Sequence, residues 1–172
     1  MNSLQKNDKI IDFLKDVFIF KDLSRDDIKI FLSICQPVSF KQGETIVREG
    51  DEGTSMFIIL EGTVEVSKSL TLKVKGSLTE DEKILTRISA DDHAFFGEVV
   101  LFEKPVRTAS IVALTDCSLL RVERNDFHNF AEENPLIGYR LVRNIAEALC
   151  RRFRKADEDT IKLTTALSIA LS

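Results

Sequence analysis

The sequence predicts an α+β fold in which helices at both ends of the chain flank a barrel or jelly roll of short strands. Apolar residues recur at helical spacing near both ends, whereas between residues 37 and 122 they alternate with polar residues, as in half-buried strands. Six of the seven glycines fall in this central part, where tight turns with positive φ require them. With 172 residues, the chain is long enough for one domain with a well-filled core.

Residues 1–36 are predicted to form an N-terminal helical segment of two short helices with a turn between them. Ser24, followed by Asp26 and Asp27, is typical of a helix N-cap with acids in the first turn. The apolar residues at helical spacing form two groups, which are Ile11, Leu14, Val17 and Phe18, then Ile28, Phe31 and Leu32.

Residues 37–123 are predicted to form the β-roll. Short β-type runs such as Met56/Ile58/Leu60 and Leu119 to Val122 alternate with turns. The stretch from Ser67 to Glu82 is longer and more polar than a hairpin loop needs, so we expect a mobile excursion between two strands. The predicted turns contain Gly43, Gly50, Gly53, Gly62 and Gly76.

Residues 124–172 are predicted to form a C-terminal helical pair. Asn125 is expected to cap a short helix that ends at Ala131, and Asn134-Pro135 to start a second one, because proline suits the first helical position. The apolar stripe of the second helix is expected to serve as a dimer seam. Residues 159–172 could extend this helix, cover the ligand as a lid or dock on a partner. The stripe consists of Leu141, Val142, Ile145, Leu149 and Phe153.

Composition indicates a soluble, cytoplasmic protein. A formal net charge of -4 gives no electrostatic case for nucleic acid as the main partner. The three cysteines form no CxxC pair, which is typical of free thiols in a reducing compartment. Asp12, Lys15 and Asp16 interrupt the apolar N-terminal stretch that a secretory signal would need. The uncharged stretch after Lys162 is much too short to span a bilayer, so no membrane contact is expected.

Residues 95–110 carry the pattern of a sugar-phosphate site. Gly97 and the amides after it are expected at a helix N-terminus, which favours an anion. Arg107 offers a planar fork that pairs with phosphate oxygens, and the two residues after it are small enough to let backbone N–H groups approach a ligand. Glu98 can accept hydrogen bonds from a ribose hydroxyl.

This segment resembles the phosphate-binding cassette of cyclic nucleotide-binding domains, which runs F-G-E, nine positions from Glu to Arg, then small residues. Glu98 and Arg107 have that spacing. The resemblance covers roughly residues 17 to 155 and implies an eight-stranded antiparallel β-roll, jelly-roll-like, with N-terminal helices and a C-terminal helical pair. Upstream matches are IFKDLS at 19–24, FKQGETIVREGDEG at 40–53 and MFIILEGTVEV at 56–66.

The resemblance implies a role for each cassette residue. Glu98 would hold the ribose 2′-hydroxyl and Arg107 the cyclic phosphate of cyclic AMP or cyclic GMP. Thr108 occupies the position where a hydroxyl permits cyclic GMP, but members with threonine there also bind cyclic AMP, so the base preference stays open. No cofactor and no catalysis are expected. The predicted ligand-binding residues are Phe96, Gly97, Glu98, Val99, Arg107, Thr108 and Ala109.

The chain departs from the family pattern at two places. The usual glycine-aspartate before F-G-E is replaced by Asp91-Asp92-His93, so a strained or reshaped turn is expected there. The usual proline directly before the arginine lies one position early, at Pro105. Neither change removes a predicted ligand contact.

Two other interpretations stay open at this point. In a β-roll scaffold that has lost nucleotide binding, Glu98 would pair structurally with Arg107. A metal-dependent cupin enzyme would need ligands such as His93 and His128, but these lie far apart and form no HxH pair.

The output of a binding module is expected to pass through the C-terminal helix to a second copy or an effector protein. Regulators of the catabolite-activator type continue into a helix-turn-helix that reads DNA and needs several dozen further residues. Only 17 residues follow Lys155, so no DNA binding is expected.

Overall fold

The computed structural model describes residues 3–74 and 77–171 and begins with two short helices. Helix α1 spans Ser3–Leu14, a 3₁₀ turn spans Phe18–Phe20, and helix α2 spans Arg25–Phe31. The Ser24 hydroxyl accepts a hydrogen bond from the Asp27 amide at 3.1 Å, and the Asp27 carboxylate accepts one from the Ser24 amide at 2.9 Å. This capping box confirms the predicted start of α2.

Eight strands form two four-stranded antiparallel sheets, which confirms the predicted β-roll. One sheet has the order β1-β8-β3-β6 and the other β2-β7-β4-β5. Apolar side chains from both sheets pack into one core between them, including Phe57, Leu119 and Ile111. The strands are β1 Cys35–Phe40, β2 Thr45–Val47, β3 Ser55–Glu61, β4 Thr63–Val74, β5 Ser77–Ser89, β6 Phe95–Phe96, β7 Ser110–Ala113 and β8 Cys117–Glu123.

The expected mobile excursion at Ser67–Glu82 is wrong, because most of this stretch belongs to a long β-hairpin. Strands β4 and β5 pair from Thr63↔Ser89 to Val74↔Ser77, with one register shift after Val66. Polar residues are compatible with such a ladder, since its hydrogen bonds are made by the backbone and its faces can be solvated. The predicted turn at Gly76 lies outside the described residues.

Two helices follow the roll. Helix α3 spans Arg124–Glu133 and helix α4 spans Pro135–Leu171. The predicted cap at Asn125 is wrong, because β8 leads directly into α3 and places Glu123 at the N-cap without a side-chain hydrogen bond. The predicted start at Asn134-Pro135 is confirmed, and α4 continues through the C-terminal stretch as one helix of 37 residues.

Helix α4 packs against the N-terminal helices through its first half. Leu141 and Ile145 are buried in a core shared with α1, α2, α3 and the outer face of the first sheet. These two residues of the predicted dimer seam therefore belong to the intramolecular core, whereas Val142 and Phe153 are exposed. From Cys150 onward every described residue of α4 is exposed.

Within the described ranges, no helix combines the length and the apolar character needed to cross a lipid bilayer.

Candidate functional site

A cavity of about 630 Å³ lies between the second sheet, the segment 95–109 and helix α4. The sheet contributes apolar side chains, among them Val66, Ile88 and Ile111, and α4 contributes Arg152, Lys155, Ala156 and Asp159 in a line along one face. The fold brings together on its wall all seven residues that the sequence predicts to contact a ligand, which are Phe96, Gly97, Glu98, Val99, Arg107, Thr108 and Ala109.

Gly97 makes the sharp turn that opens the segment. Its φ of 76° lies in the left-handed region, which favours glycine, and it directly follows β6. The next four residues, Glu98–Leu101, form a single turn of 3₁₀ helix. The short helical turn expected after Gly97 is therefore present, and the turn directs Glu98 inward, where it is only 2% exposed.

Arg107 is a buried cation with neutral partners. The residue is 7% exposed. Its Nη1 donates to the Ser55 carbonyl at 2.7 Å, and its Nη2 donates to the Ser55 hydroxyl at 3.2 Å. Burial lowers its pKa, because the charged form is poorly solvated there. Among the described residues no carboxylate forms an ion pair with Arg107, so this end of the cavity favours an anion.

The turn before β3 holds Arg107 in place. The Arg107 amide donates to the Asp51 carbonyl at 2.9 Å, and the Gly50 amide donates to the Arg107 carbonyl at 2.9 Å. The Gly53 amide donates to the Pro105 carbonyl at 2.7 Å. The GDEG sequence at residues 50–53 and the arginine segment therefore form one unit, although they are far apart in the chain.

Glu98 pairs with Arg152 of α4 rather than with Arg107. Arg152 Nη1 donates to Glu98 Oε1 at 2.5 Å, and Arg152 Nη2 donates to the Phe95 carbonyl at 3.0 Å. The same guanidinium lies over the Phe95 ring, 4.8 Å from its centroid. The Glu98–Arg107 pair that the sequence left open is thus replaced by a partner 54 residues away, which no local motif could indicate.

The turn that departs from the family pattern is strained, as expected. His93 has a φ of 48°, in the left-handed region that favours glycine. Its amide donates to the Ala90 carbonyl at 2.9 Å, and the Asp92 carboxylate accepts from the amide and hydroxyl of Ser89. The turn closes with a non-glycine residue because these hydrogen bonds hold it.

The two histidines lie in separate environments. The His93 ring contacts the Phe13 ring with centroids 4.9 Å apart, whereas His128 Nε2 lies 2.7 Å from the Leu101 carbonyl oxygen. In the described part of the chain, no three side chains of His, Cys, Asp or Glu are grouped so that they could hold a metal ion.

Sequence comparison adds relatives of known function. A family model described as the cyclic nucleotide-binding domain matches residues 37–134, which is more than half of the chain. A cGMP-dependent protein kinase of Drosophila melanogaster is 34% identical over 119 residues, covering 68% of this chain and 12% of the kinase. The cyclic AMP receptor protein of Thermus thermophilus is 29% identical over 139 residues, covering 81% of this chain and 58% of that protein. The chain thus spans only part of the length of either relative.

Solved structures show the same architecture. The catabolite activator protein of Thermus thermophilus superposes with a TM-score of 0.71 at 27% identity, over 85% of this chain and 62% of that one. A cyclic nucleotide-binding domain from Methylobacillus flagellatus superposes with a TM-score of 0.74 over 90% of this chain and 82% of that one, and its 22% identity shows the fold alone. With the family match over the roll, these findings show that the chain belongs to the cyclic nucleotide-binding domain family.

Proposed function

We propose that this chain is a sensor module that binds cyclic AMP or cyclic GMP in the cavity between the second sheet and α4 and leaves the ligand chemically unchanged. The observation that carries the proposal is Arg107, a residue that is 7% exposed and lines the cavity. Among the described residues, its guanidinium donates hydrogen bonds only to the two neutral oxygens of Ser55. A desolvated guanidinium gains most from an anion with two oxygens in its plane, which a cyclic phosphate offers.

The other cassette residues have complementary roles in this proposal. Glu98 accepts a hydrogen bond from the ribose 2′-hydroxyl, and the amides of Gly97 and Ala109 with the Thr108 hydroxyl complete the phosphate cradle. Phe96 and Val99 form part of the cavity wall. The apolar side chains of the second sheet, Val66 and Ile88 among them, give the base a surface that excludes water.

The proposed function includes both cyclic nucleotides, which differ in their base. Relatives include a kinase named for cyclic GMP and a receptor protein named for cyclic AMP. Thr108 supplies a hydroxyl at the cavity wall, which suits the guanine amino group but does not exclude adenine. Both nucleotides are therefore needed in every assay.

The test is calorimetric titration of the purified chain with cyclic AMP and cyclic GMP. We expect Arg107→Met to weaken binding by about 2–5 kcal/mol, because it removes a desolvated charged contact. Arg87→Met is the matched control, since Arg87 forms an exposed ion pair with Glu65 and does not line the cavity. A folded wild-type chain that binds neither nucleotide at millimolar concentration would refute the proposal.

We propose that the signal leaves through α4 to a second copy of the chain. Tyr139, Val142, Phe153, Leu163 and Leu167 of α4 are exposed, and their separations of 3, 11, 10 and 4 residues place them at the two apolar positions of a seven-residue repeat. Such spacing over several turns is typical of a coiled-coil seam, and a helix end without tertiary packing is marginally stable by itself. In this arrangement the segments 1–36 and 124–172 flank the binding roll 37–123 and report its state.

Sedimentation of the chain tests this assembly. We expect a dimer, and we expect Leu163→Glu with Leu167→Glu to yield a folded monomer because two charges would face each other in the seam. Arg154→Glu serves as control, since this exposed side chain lies off the stripe. A monomeric wild-type chain would instead favour an effector of different sequence.

The alternatives from the sequence are not favoured by these findings. The family match and the relatives support a binding module over a β-roll scaffold or a metal-dependent cupin enzyme. The expected cytoplasmic location and the expected lack of DNA and membrane contacts stay predictions.

A further inference from the structure

Arg152 joins α4 to the carboxylate at the centre of the candidate site. It lies between the part of α4 that packs against the N-terminal helices and the exposed part, whose Lys155, Ala156 and Asp159 line the cavity. Before it, Asn144 and Arg151 contact the 3₁₀ turn Phe18–Phe20 and its end. After it, the side-chain hydrogen bonds seen for residues 153–168 all stay within α4.

Glu98 needs a partner of this kind. A carboxylate that is 2% exposed loses most of its hydration, and such a charge is retained only when it is paired or hydrogen-bonded. Arg152 supplies that pairing at Oε1 with one nitrogen. Rotation about the three side-chain torsions of a glutamate would otherwise leave the position of its carboxylate undefined. A fixed cation at one carboxylate oxygen therefore also restricts the position of the other oxygen.

Arg152 is itself well fixed. Its second nitrogen donates to the Phe95 carbonyl, and its guanidinium plane lies over the Phe95 ring. Phe95 belongs to β6, directly before Gly97, so the three groups form one unit at the start of the cassette. Because a guanidinium presents its donors in a rigid fork, fixing Nη2 also fixes the direction of Nη1.

We propose that Arg152 is a positioning residue for ribose recognition: it holds Glu98 so that the carboxylate accepts the ligand's 2′-hydroxyl. This inference rests on the proposed function and deepens it, because it assigns part of the ribose site to α4. A carboxylate has enough acceptor sites for both an arginine and a hydroxyl. A ligand at the ribose site would then contact Glu98, which is hydrogen-bonded to the helix that carries the exposed apolar stripe.

The test compares each cyclic nucleotide with its 2′-deoxy analogue. We expect Arg152→Ala to weaken binding of cyclic AMP and cyclic GMP by about tenfold, in line with the loss of one charged hydrogen bond. Binding of the 2′-deoxy analogues should be almost unchanged, because they make no use of the Glu98 acceptor. Arg152→Lys should recover part of the loss, and Arg152→Ala should add little in a Glu98→Gln background.

Two neighbouring arginines provide controls on the same helix. Arg154→Ala removes an exposed charge, and Arg151→Ala removes a guanidinium that lies 4.1 Å from the centroid of the Phe18 ring, away from the cavity. Both variants should bind ribose and 2′-deoxy nucleotides as the wild type does. A cooperative thermal unfolding transition shows that each variant is folded. If Arg152→Ala does not fold, Arg152→Lys is compared with the wild type instead.

Three results would overturn the inference. An equal loss for the ribose and 2′-deoxy nucleotides would show that Arg152 supports the cavity as a whole. Tighter binding by Arg152→Ala would show that Arg152 competes with the ribose for Glu98. Unchanged binding by Arg152→Ala, in a chain whose wild type prefers the ribose nucleotide, would sink this inference and leave the proposed function intact. Failure of the wild type to bind either nucleotide concerns the proposed function instead.

Discussion

Arg107 lies so close to Gly53 that a Cβ atom at residue 53 would fall 2.4 Å from the guanidinium Nε and 2.7 Å from Nη2. Displacing the arginine side chain would cost free energy, because the residue is buried and both terminal nitrogens donate hydrogen bonds to Ser55. Arg107 can therefore take its observed position only because residue 53, in the turn before β3, has no side chain. The same side chain also limits Gly97, where a Cβ would lie 2.9 Å from Nη1.

Gly53→Ala should weaken nucleotide binding and reduce stability together. We expect about a tenfold loss of affinity, and about 1–3 kcal/mol less free energy of unfolding, because an inserted methyl group displaces a fixed guanidinium. Titration calorimetry and urea unfolding measure the two effects. In an Arg107→Ala background the destabilisation should shrink, since the clash is gone.

Gly43→Ala is the matched control for this prediction. Gly43 has a φ of 85° and nothing within 4 Å of a built Cβ, so alanine there adds backbone strain without a clash. Its stability should fall while its affinity stays at the wild-type value. An unchanged affinity in Gly53→Ala would contradict the steric argument.

Gly138→Ala should destabilise the chain, against the usual trend for helix glycines. A Cβ there would meet the Ala131 Cβ at 2.7 Å and its Cα at 2.8 Å, where α3 and α4 cross. In an open helix the same change stabilises by about 1 kcal/mol, whereas overpacking here should cost about 1–3 kcal/mol. Urea unfolding decides the sign, and a gain in stability would show that the helices separate without strain.

Asn144→Leu should reduce stability through two lost hydrogen bonds. The fully buried amide nitrogen donates to the carbonyls of Ile19 at 2.9 Å and Lys21 at 2.7 Å, so a leucine leaves both oxygens without this donor. We expect a loss of about 1–3 kcal/mol, chiefly from the Ile19 carbonyl, because Ile19 is buried whereas Lys21 is exposed. Glu147→Gln is the control, because its ion pairs are exposed and should contribute about 1 kcal/mol or less.

Cys35 should resist alkylation in the folded chain. Burial raises the pKa of its thiol to about 12, so the reactive thiolate is scarce at pH 8 and increases only as the pH approaches that value. Mass spectrometry after iodoacetamide treatment should find Cys150, which is exposed, labelled well before Cys35. Equal labelling of both in the folded state would contradict the raised pKa of the Cys35 thiol.

Local patterns predicted much of the fold. The capping box at Ser24 and the proline start of α4 involve residues a few positions apart, so their chemistry is readable from the sequence. The strand pattern and the glycine turns predicted the roll for the same reason. The extension of the β4–β5 hairpin through Ser67–Glu82 was not predicted, because its backbone ladder does not require the apolar alternation that marks a half-buried strand.

The sequence by itself determined the class of fold, the family resemblance and the group of residues from Gly97 to Ala109, because these rest on short-range spacing and on the turn that glycine permits. Only the tertiary structure decided that Glu98 pairs with Arg152, that Ser55 holds Arg107, and that α4 divides into a buried and an exposed half. Those relations join residues more than fifty positions apart, and a charged side chain takes whichever partner the packing of distant elements brings within hydrogen-bond distance.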